Sequence, residues 1–317
     1  MPRFFSTRNK ISICHPLNIL WLCILCLVYL FTLRQDAASK ARLVSLESPS
    51  APSPRIFCVI VTYAYRHRVA FHIYHTWANQ CDKYLFVSDD SHEVLEPAVF
   101  QNFNDKWQRM RAYMEYLYKY HINEGDWFLF ANDDNFVIVD NLRLMLQKYS
   151  SDELIYFGCK LKNPQNQPYM LESSVMVLSH SALKRFALDA LTNENLCSSK
   201  SLGNAAYEEF GRCLSNVNVI AGDSRDDNKL HRFLPFETTV HLGYKPLNAS
   251  LEEHKYFIDR SFDEVPNLKL PVSPICISYH MDNMDRIYNL YYFIKNVKIF
   301  GFARKLIPAL PKTKKNN

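Results

Sequence analysis

Asn132, Asp133 and Asp134 close the apolar run Phe128–Ala131, and a second apolar run begins at Phe136. Two adjacent carboxylates repel each other and need a partner or water. Hard divalent cations such as Mn²⁺ and Mg²⁺ take oxygen ligands, and phosphate oxygens often complete their shell. Carboxylates at the tip of a strand can therefore tie a cation to a diphosphate, which makes Asp133 and Asp134 candidate nucleotide-binding residues. An acidic surface turn would look the same in sequence. Three further groups carry chemistry. Glu208 and Glu209 are adjacent acids that fit either a base or a solvated helix face. Asp223 and Arg225, in "GDSRD", either brace the fold as an ion pair or line a substrate cleft. His280, in "SYHMDN", is either a ligand or a buried, hydrogen-bonded histidine.

These groups need a scaffold. "RIFCVIVTY" (55–63), "KYLFVSDD" (83–90), "DWFLFAND" (126–133), "LIYFG" (154–158) and "SSVMVLS" (173–179) read as strands rich in β-branched and aromatic residues. Between and after them, "HRVAFHIYHTWANQ" (67–80), 105–122, "NLRLMLQKY" (141–149) and "SALKRFALDAL" (181–191) read as helices. In 105–122, Trp107, Met110, Met114, Leu117 and His121 recur at spacings of three and four, which places them on one face. Alternating strands and helices predict an α/β fold with a mostly parallel sheet covered on both faces. In such sheets ligands bind outside the carboxyl ends of the strands, where Asp133 and Asp134 fall. Trp77, Trp107 and the aromatic helix "MDRIYNLYYFIKNVKIF" are read as packing. No GxGxxG or Walker sequence is present, so neither a dinucleotide nor a P-loop reading is supported.

The ends of the chain differ from its middle. Residues 16–33 form an 18-residue stretch without charge, preceded by Arg3, Arg8 and Lys10. That length and flank predict a type II signal anchor with a cytoplasmic tail at 1–15. The Ser/Ala/Pro-rich residues 34–54 read as a luminal stem, 55–300 as the globular domain and 301–317 as a basic tail. The formal charge of +5 is misleading: 1–42 and 301–317 each carry +5, so the 258 residues between them carry −5. An acidic middle excludes a nucleic-acid footprint. Six of the nine cysteines lie beyond the anchor, where an oxidising lumen preserves disulfides. No CxxC pair occurs there, which argues against zinc. Asn248-Ala249-Ser250 is a glycosylation sequon if that region is luminal.

"DWFLFANDDNFVIVDNLRLMLQKY" resembles the DxD region of the core 1 β1,3-galactosyltransferase (T-synthase) family of Golgi glycosyltransferases. "RIFCVIVTY", "HTWANQCDKYLFVS", "IYFG", "VLSHSALKRF", "GRC", "AGDSRD" and "SYHMDN" resemble that family's motifs in the same order, over roughly residues 55–300. The chain looks like a divergent, insect-like member. "NDKWQRMRAY" also resembles Cosmc, the chaperone of T-synthase and a relative that has lost its DxD.

The resemblance implies a GT-A fold, with a Rossmann-like nucleotide-sugar half joined to an acceptor half, behind a single transmembrane helix. It implies UDP-galactose as donor, Mn²⁺, and GalNAc-bearing glycoproteins as acceptors. It implies residence in the Golgi (or endoplasmic reticulum) membrane and leaves homo- or hetero-oligomers with family members open. The metal would sit on Asn132, Asp134 and His280. The family's disulfides would fall on Cys58–Cys81 and Cys197–Cys213, leaving Cys159 and Cys276 as a new pair or as free thiols.

Three departures from the family touch the chemistry. Its leading DxD aspartate is Asn132 here, which keeps a carbonyl oxygen but loses a charge, and metal affinity follows ligand charge. Inverting transfer needs a base for the acceptor hydroxyl, yet the family's Glu-Asp pair falls on Ala206 and Tyr207. Glu208 and Glu209 stand two residues on, roughly 200° around a helix. The family's glycine-rich acceptor turn is Glu172-Ser173-Ser174-Val175, which makes Glu172 a third candidate base. The expected activity is N-acetylgalactosaminide β1,3-galactosyl transfer. The alternative is a non-catalytic relative acting as chaperone or partner of an active core 1 transferase.

Overall fold

Strand β1 (Ile56–Val61) consists entirely of apolar residues, and its first five are fully or almost fully buried. Such a strand must be covered on both faces, and β1 lies in the interior of a seven-stranded sheet. The computed structural model describes Tyr29 and residues 53–297, except 102, 104, 201, 243–246, 266–267 and 282. The predicted cytoplasmic tail, the anchor apart from Tyr29, the basic tail and nearly all of the stem lie outside the described residues. Among the described residues no helix is long and apolar enough to cross a membrane.

The other strands of this sheet are β2 (Lys83–Ser88), β3 (Ala98–Val99), β4 (Trp127–Asn132), β6 (Ile155–Phe157), β9 (Met176–Ser179) and β10 (Ile220–Ala221). The order is β10-β6-β9-β4-β1-β2-β3. β1 pairs in parallel with β2 and β4, whereas β9 runs antiparallel to both β4 and β6. The sheet is thus mostly parallel, with one reversed strand inside it. Val61 pairs with Asn132 and with Val87. The carboxyl ends of three strands therefore meet at one edge.

Here the chain changes sheets. β4 stops at Asn132, Asp133 and Asp134 turn, and β5 (Asn135–Val137) enters a second sheet of order β11-β12-β5. Its partners are β11 (Phe233–Leu234) and β12 (Ser278–His280), and His280 faces Asn135 in antiparallel register. β7 (Lys160–Lys162) and β8 (Pro168–Met170) form a separate antiparallel pair.

Helices cover both faces. α1 (His67–Tyr74) and α3 (Val139–Leu146) pack on one side; α2 (Lys106–His121), α4 (His180–Arg185) and α5 (Ala206–Asn216) pack on the other. The Asp105 side chain caps α2 by accepting from Gln108 N, and Trp107, Met110, Met114 and Leu117 are buried, with His121 half-buried. α1 ends six residues earlier than its sequence pattern predicts. Thr76 Oγ1 donates back to His72 O at 2.7 Å, a local bond that competes with the helical ladder. Trp77 and Trp107 are fully buried.

α6 (Thr238–Leu242), α7 (Glu252–Arg260) and α8 (Ile287–Lys295) follow. The packing predicted for the aromatic helix α8 holds along one stripe only. Ile287 is buried while Phe293 is 65% exposed. Cys58 is bonded to Cys81 and Cys197 to Cys213, the pairings implied by the resemblance, and Cys159 and Cys276 are free thiols.

Candidate active site

The switch from β4 to β5 carries the polar chemistry. Asp133 turns inward and is buried; it accepts from Thr62 Oγ1 at 2.6 Å and from Arg66 Nε at 2.7 Å. Burial raises its carboxyl pKa, against the pull of Arg66. This carboxylate holds the turn after β1 and lines the first of the two clefts described below. Asp134 Oδ2 also lies 3.6 Å from Arg66 Nη2, while its other oxygen faces β12. Its Oδ1 is buried without a hydrogen bond among the described residues and lies 3.5 Å from His280 Nδ1. The β12–β5 pairing makes that approach inevitable, since Met281 N also donates to Asp134 O at 2.8 Å. Two donors bound to one divalent ion stand roughly 3 Å apart, so the Asp134–His280 spacing and the orphaned oxygen fit a cation.

Asn132 stands on the same turn. Its Nδ2 donates to Glu172 O at 3.2 Å, and Asn135 Nδ2 donates to Ser173 O at 3.0 Å. An aspartate at 132 could not make the first of these bonds. Asn132 thus fastens the 171–174 segment while its carbonyl end, the end a cation would use, stays out of that bond. The segment is a turn, closed by Ser174 N donating to Leu171 O at 3.2 Å; Glu172 lines one cleft, and Leu171 and Ser173 line another.

Two clefts result. The first, of about 310 Å³, is lined by Tyr63, Arg66, Arg109, Asn132, Asp134 and Glu172, among others. Arg109 is the notable member. Its side chain is buried, its Nη2 donates to Thr62 O at 2.7 Å, and its guanidinium carbon lies 4.2 Å from the Tyr63 ring centre. Its Nε and Nη1 have no hydrogen-bond partner among the described residues. A buried guanidinium with two idle donors is costly unless an anion satisfies it. Arg66 and Lys106 line the same cleft, and Lys106 Nζ is bonded to the Glu172 carboxylate. The second cleft, of about 640 Å³, lies beyond Leu171 and Ser173 and shares His280 at its edge.

The three candidate bases part company. Glu172 faces the first cleft together with Asn132 and Asp134. Glu208 accepts from Arg260 Nη1 at 3.1 Å and from Tyr256 at 3.3 Å, away from the first cleft. Glu209 accepts from Arg212 and from Ser198 N at 2.7 Å, bracing the Cys197–Cys213 loop. Neither is placed to take a proton in that cleft. Of the family's two base positions, Ala206 is buried and Tyr207 lines the cleft, its phenol pKa raised by burial. Asp223 and Arg225 are bonded to each other at 2.9 Å, and Arg225 also reaches Asp263 at 3.0 Å. Arg225 holds the Asp223 carboxyl far below the usual carboxylate range. This network braces the fold and lines neither cleft.

Arg66, Lys106 and Arg109 were missed in the sequence. A signal existed for the first: "YAYRHR" follows β1 directly, at the edge where ligands bind. Arg109 sits on an otherwise apolar helix face, where only the fold reveals its direction.

The Fringe-like family matches residues 54–182. Glycoprotein-N-acetylgalactosamine 3-beta-galactosyltransferase 1 of Xenopus laevis is 35% identical over 264 residues, covering 81% of this chain and 70% of that protein. The chain belongs to the family of that transferase. Among solved structures, galactosyltransferase LgtC with donor and acceptor sugar analogues is similar at 10% identity and a TM-score of 0.40, over 76% of this chain and 97% of that one. A Drosophila β1,4-galactosyltransferase 7 complex with manganese, UDP-Gal and xylobiose matches at 11% identity and a TM-score of 0.33, over 53% of this chain and 63% of that one.

Proposed function

We propose that this protein transfers galactose from UDP-galactose to GalNAc on Ser or Thr of glycoproteins, with inversion, on a GT-A scaffold. The observation that carries the reading is one cleft holding opposite unmet demands. Among the described residues Arg109 has two buried donors without a hydrogen bond, and Asp134 Oδ1, 3.5 Å from His280, is a buried acceptor without one. A cation-bound diphosphate answers both. Asn132, Asp134 and His280 would hold the ion, whose charge would stabilise the departing UDP. Arg109, Arg66 and Lys106 would receive the diphosphate oxygens. Glu172 would take the proton from the acceptor hydroxyl as it attacks.

The same reading places the domain in the lumen of the Golgi or endoplasmic reticulum, behind the anchor at 16–33 and the stem at 34–54. Asn248, exposed in its sequon, would then carry a glycan, seen as a mobility shift on glycosidase treatment that Asn248→Gln abolishes.

Tyr207, at a base position of the family resemblance, favours a second reading, a non-catalytic partner of an active transferase; the transferase relative does not favour it. Turnover decides between them. The full chain is assayed with UDP-galactose, a GalNAc-peptide and Mn²⁺ beside Asp134→Ala. The transferase reading expects product from the wild type and a loss on the order of 10²–10³ in the variant, for several kcal/mol of charge stabilisation. A wild type as inactive as the variant rejects it.

A further inference from the structure

The second cleft has a composition unlike the first. Its wall is built from Pro235, Phe236, Tyr256 and Phe257, with Leu171 and Ser173 on the side shared with the first cleft. Tyr256 is 38% exposed, and it is held firmly. Its hydroxyl lies 2.6 Å from that of Tyr169 and donates to Glu208 at 3.3 Å, while the Arg260 guanidinium carbon lies 5.3 Å from its ring centre. Glu208, adjacent to the family's base positions, thus serves to fix an aromatic surface. A rigid ring at the wall of an open cleft suits the apolar face of a sugar and costs little side-chain entropy on binding.

Three carboxylates line the same cleft: Glu237, Glu252 and Glu253. Glu252 and Glu253 occupy the first turn of α7, where acids also favour the helix dipole. That role sets their place in sequence, and the cleft sets what they face. Among the described residues lining the cleft there is no lysine or arginine; Lys255, on the same helix, is not part of the lining. His280, shared with the Asp134 pair, marks the inner end.

We propose that this cleft seats the peptide and the far face of the acceptor sugar, with Tyr256 as the sugar platform and the reacting hydroxyl reaching past the 171–174 turn to Glu172, and that Glu237, Glu252 and Glu253 make it prefer GalNAc-peptides with lysine or arginine beside the glycosylated residue. The proposal rests on the transferase reading for the identity of the sugar, and adds the class of peptide that carries it. Glu252 and Glu253 are exposed and Glu237 is half-buried, so the preference is electrostatic, modest and screened by salt.

The test is binding to the full-length protein of two fluorescent GalNAc-peptides, one flanked by lysines and one by glutamates, with UDP affinity in Mn²⁺ measured alongside. The expected result is about three- to ten-fold tighter binding of the lysine peptide at low salt, fading at high salt. Glu252→Lys with Glu253→Lys should reverse the order and leave UDP affinity unchanged. Tyr256→Ala should weaken both peptides equally. Equal affinities, or an order the double variant leaves untouched, overturns the proposal. If UDP binds and neither peptide does, the proposal falls while the donor site stands. If UDP does not bind in Mn²⁺, the transferase reading fails, and the proposal with it.

Discussion

The two clefts beside the Asp134–His280 pair satisfy their polar groups in different ways. In the smaller one nearly every charge is tied to a neighbour, as in Arg66 to Asp133 and Lys106 to Glu172, and what lacks a hydrogen bond among the described residues is buried: Nε and Nη1 of Arg109 and the Oδ1 of Asp134. In the larger one Glu252 and Glu253 stand toward solvent beside an aromatic and aliphatic wall. Buried, unmet polar atoms are costly, so they signal a ligand of defined charge and geometry. Exposed carboxylates over apolar surface signal a looser partner, chosen by shape and long-range charge. A transferase needs both kinds of site, one for a single invariant donor and one for many acceptors.

The sharpest way to break this division is Glu172→Gln. It should cut turnover by about 10²–10⁴, the usual share of a general base, with UDP affinity in Mn²⁺ unchanged. A variant keeping a tenth of wild-type turnover would remove Glu172 from the chemistry. Next is Arg66→Ala, which leaves the buried Asp133 carboxylate unpaired and should cost about 3 kcal/mol in denaturant melts. A loss below 1 kcal/mol would mean that the turn after β1 does not depend on this pair.

Acid should act on the acceptor side. Phe236 N donates to His241 Nε2 at 3.0 Å, and Phe236 forms the cleft wall. Burial, aided by His231 and His254, lowers the His241 pKa to about 4. The unfolded chain takes up this proton near pH 6.5 and the folded chain resists it. The stability is therefore intact above about pH 6.5 and falls as pH drops toward 4, by roughly 1–3 kcal/mol. His231, also lowered by burial to about 4, adds to the same window. Melts at pH 7 and pH 5 should differ by less in His241→Asn than in the wild type, and an unchanged difference would exclude His241. The smallest effect is also diagnostic. Arg109→Met removes an incompletely paired buried charge, so the unliganded protein should gain about 1 kcal/mol while its thermal stabilisation by UDP and Mn²⁺ disappears.

The frame of the molecule was legible because it is local. β1, β4 and α2 declare themselves by β-branched and aromatic runs and by the spacing of Trp107, Met110, Met114 and Leu117. The placing of Asn132–Asp134 at a strand tip followed from the same runs. What sequence could not give was direction. Asp133 and Asp134 are neighbours and both reach Arg66, yet one is buried against Thr62 and the other faces His280, because the chain changes sheets at this turn. Glu208 and Glu209 look equivalent on paper, but partners 52 and 11 residues away, Arg260 and Ser198, draw them to different tasks. The acidic cleft joins residues from Leu171 to His280, a juxtaposition set by tertiary packing.

The central claim is that the smaller cleft binds a cation and a diphosphate together, and titration calorimetry of UDP into the full chain with and without Mn²⁺ tests it most directly. The account predicts binding that strengthens at least tenfold with Mn²⁺, an enhancement that Asp134→Ala abolishes. UDP affinity indifferent to manganese, or enhancement that survives in Asp134→Ala, would contradict it.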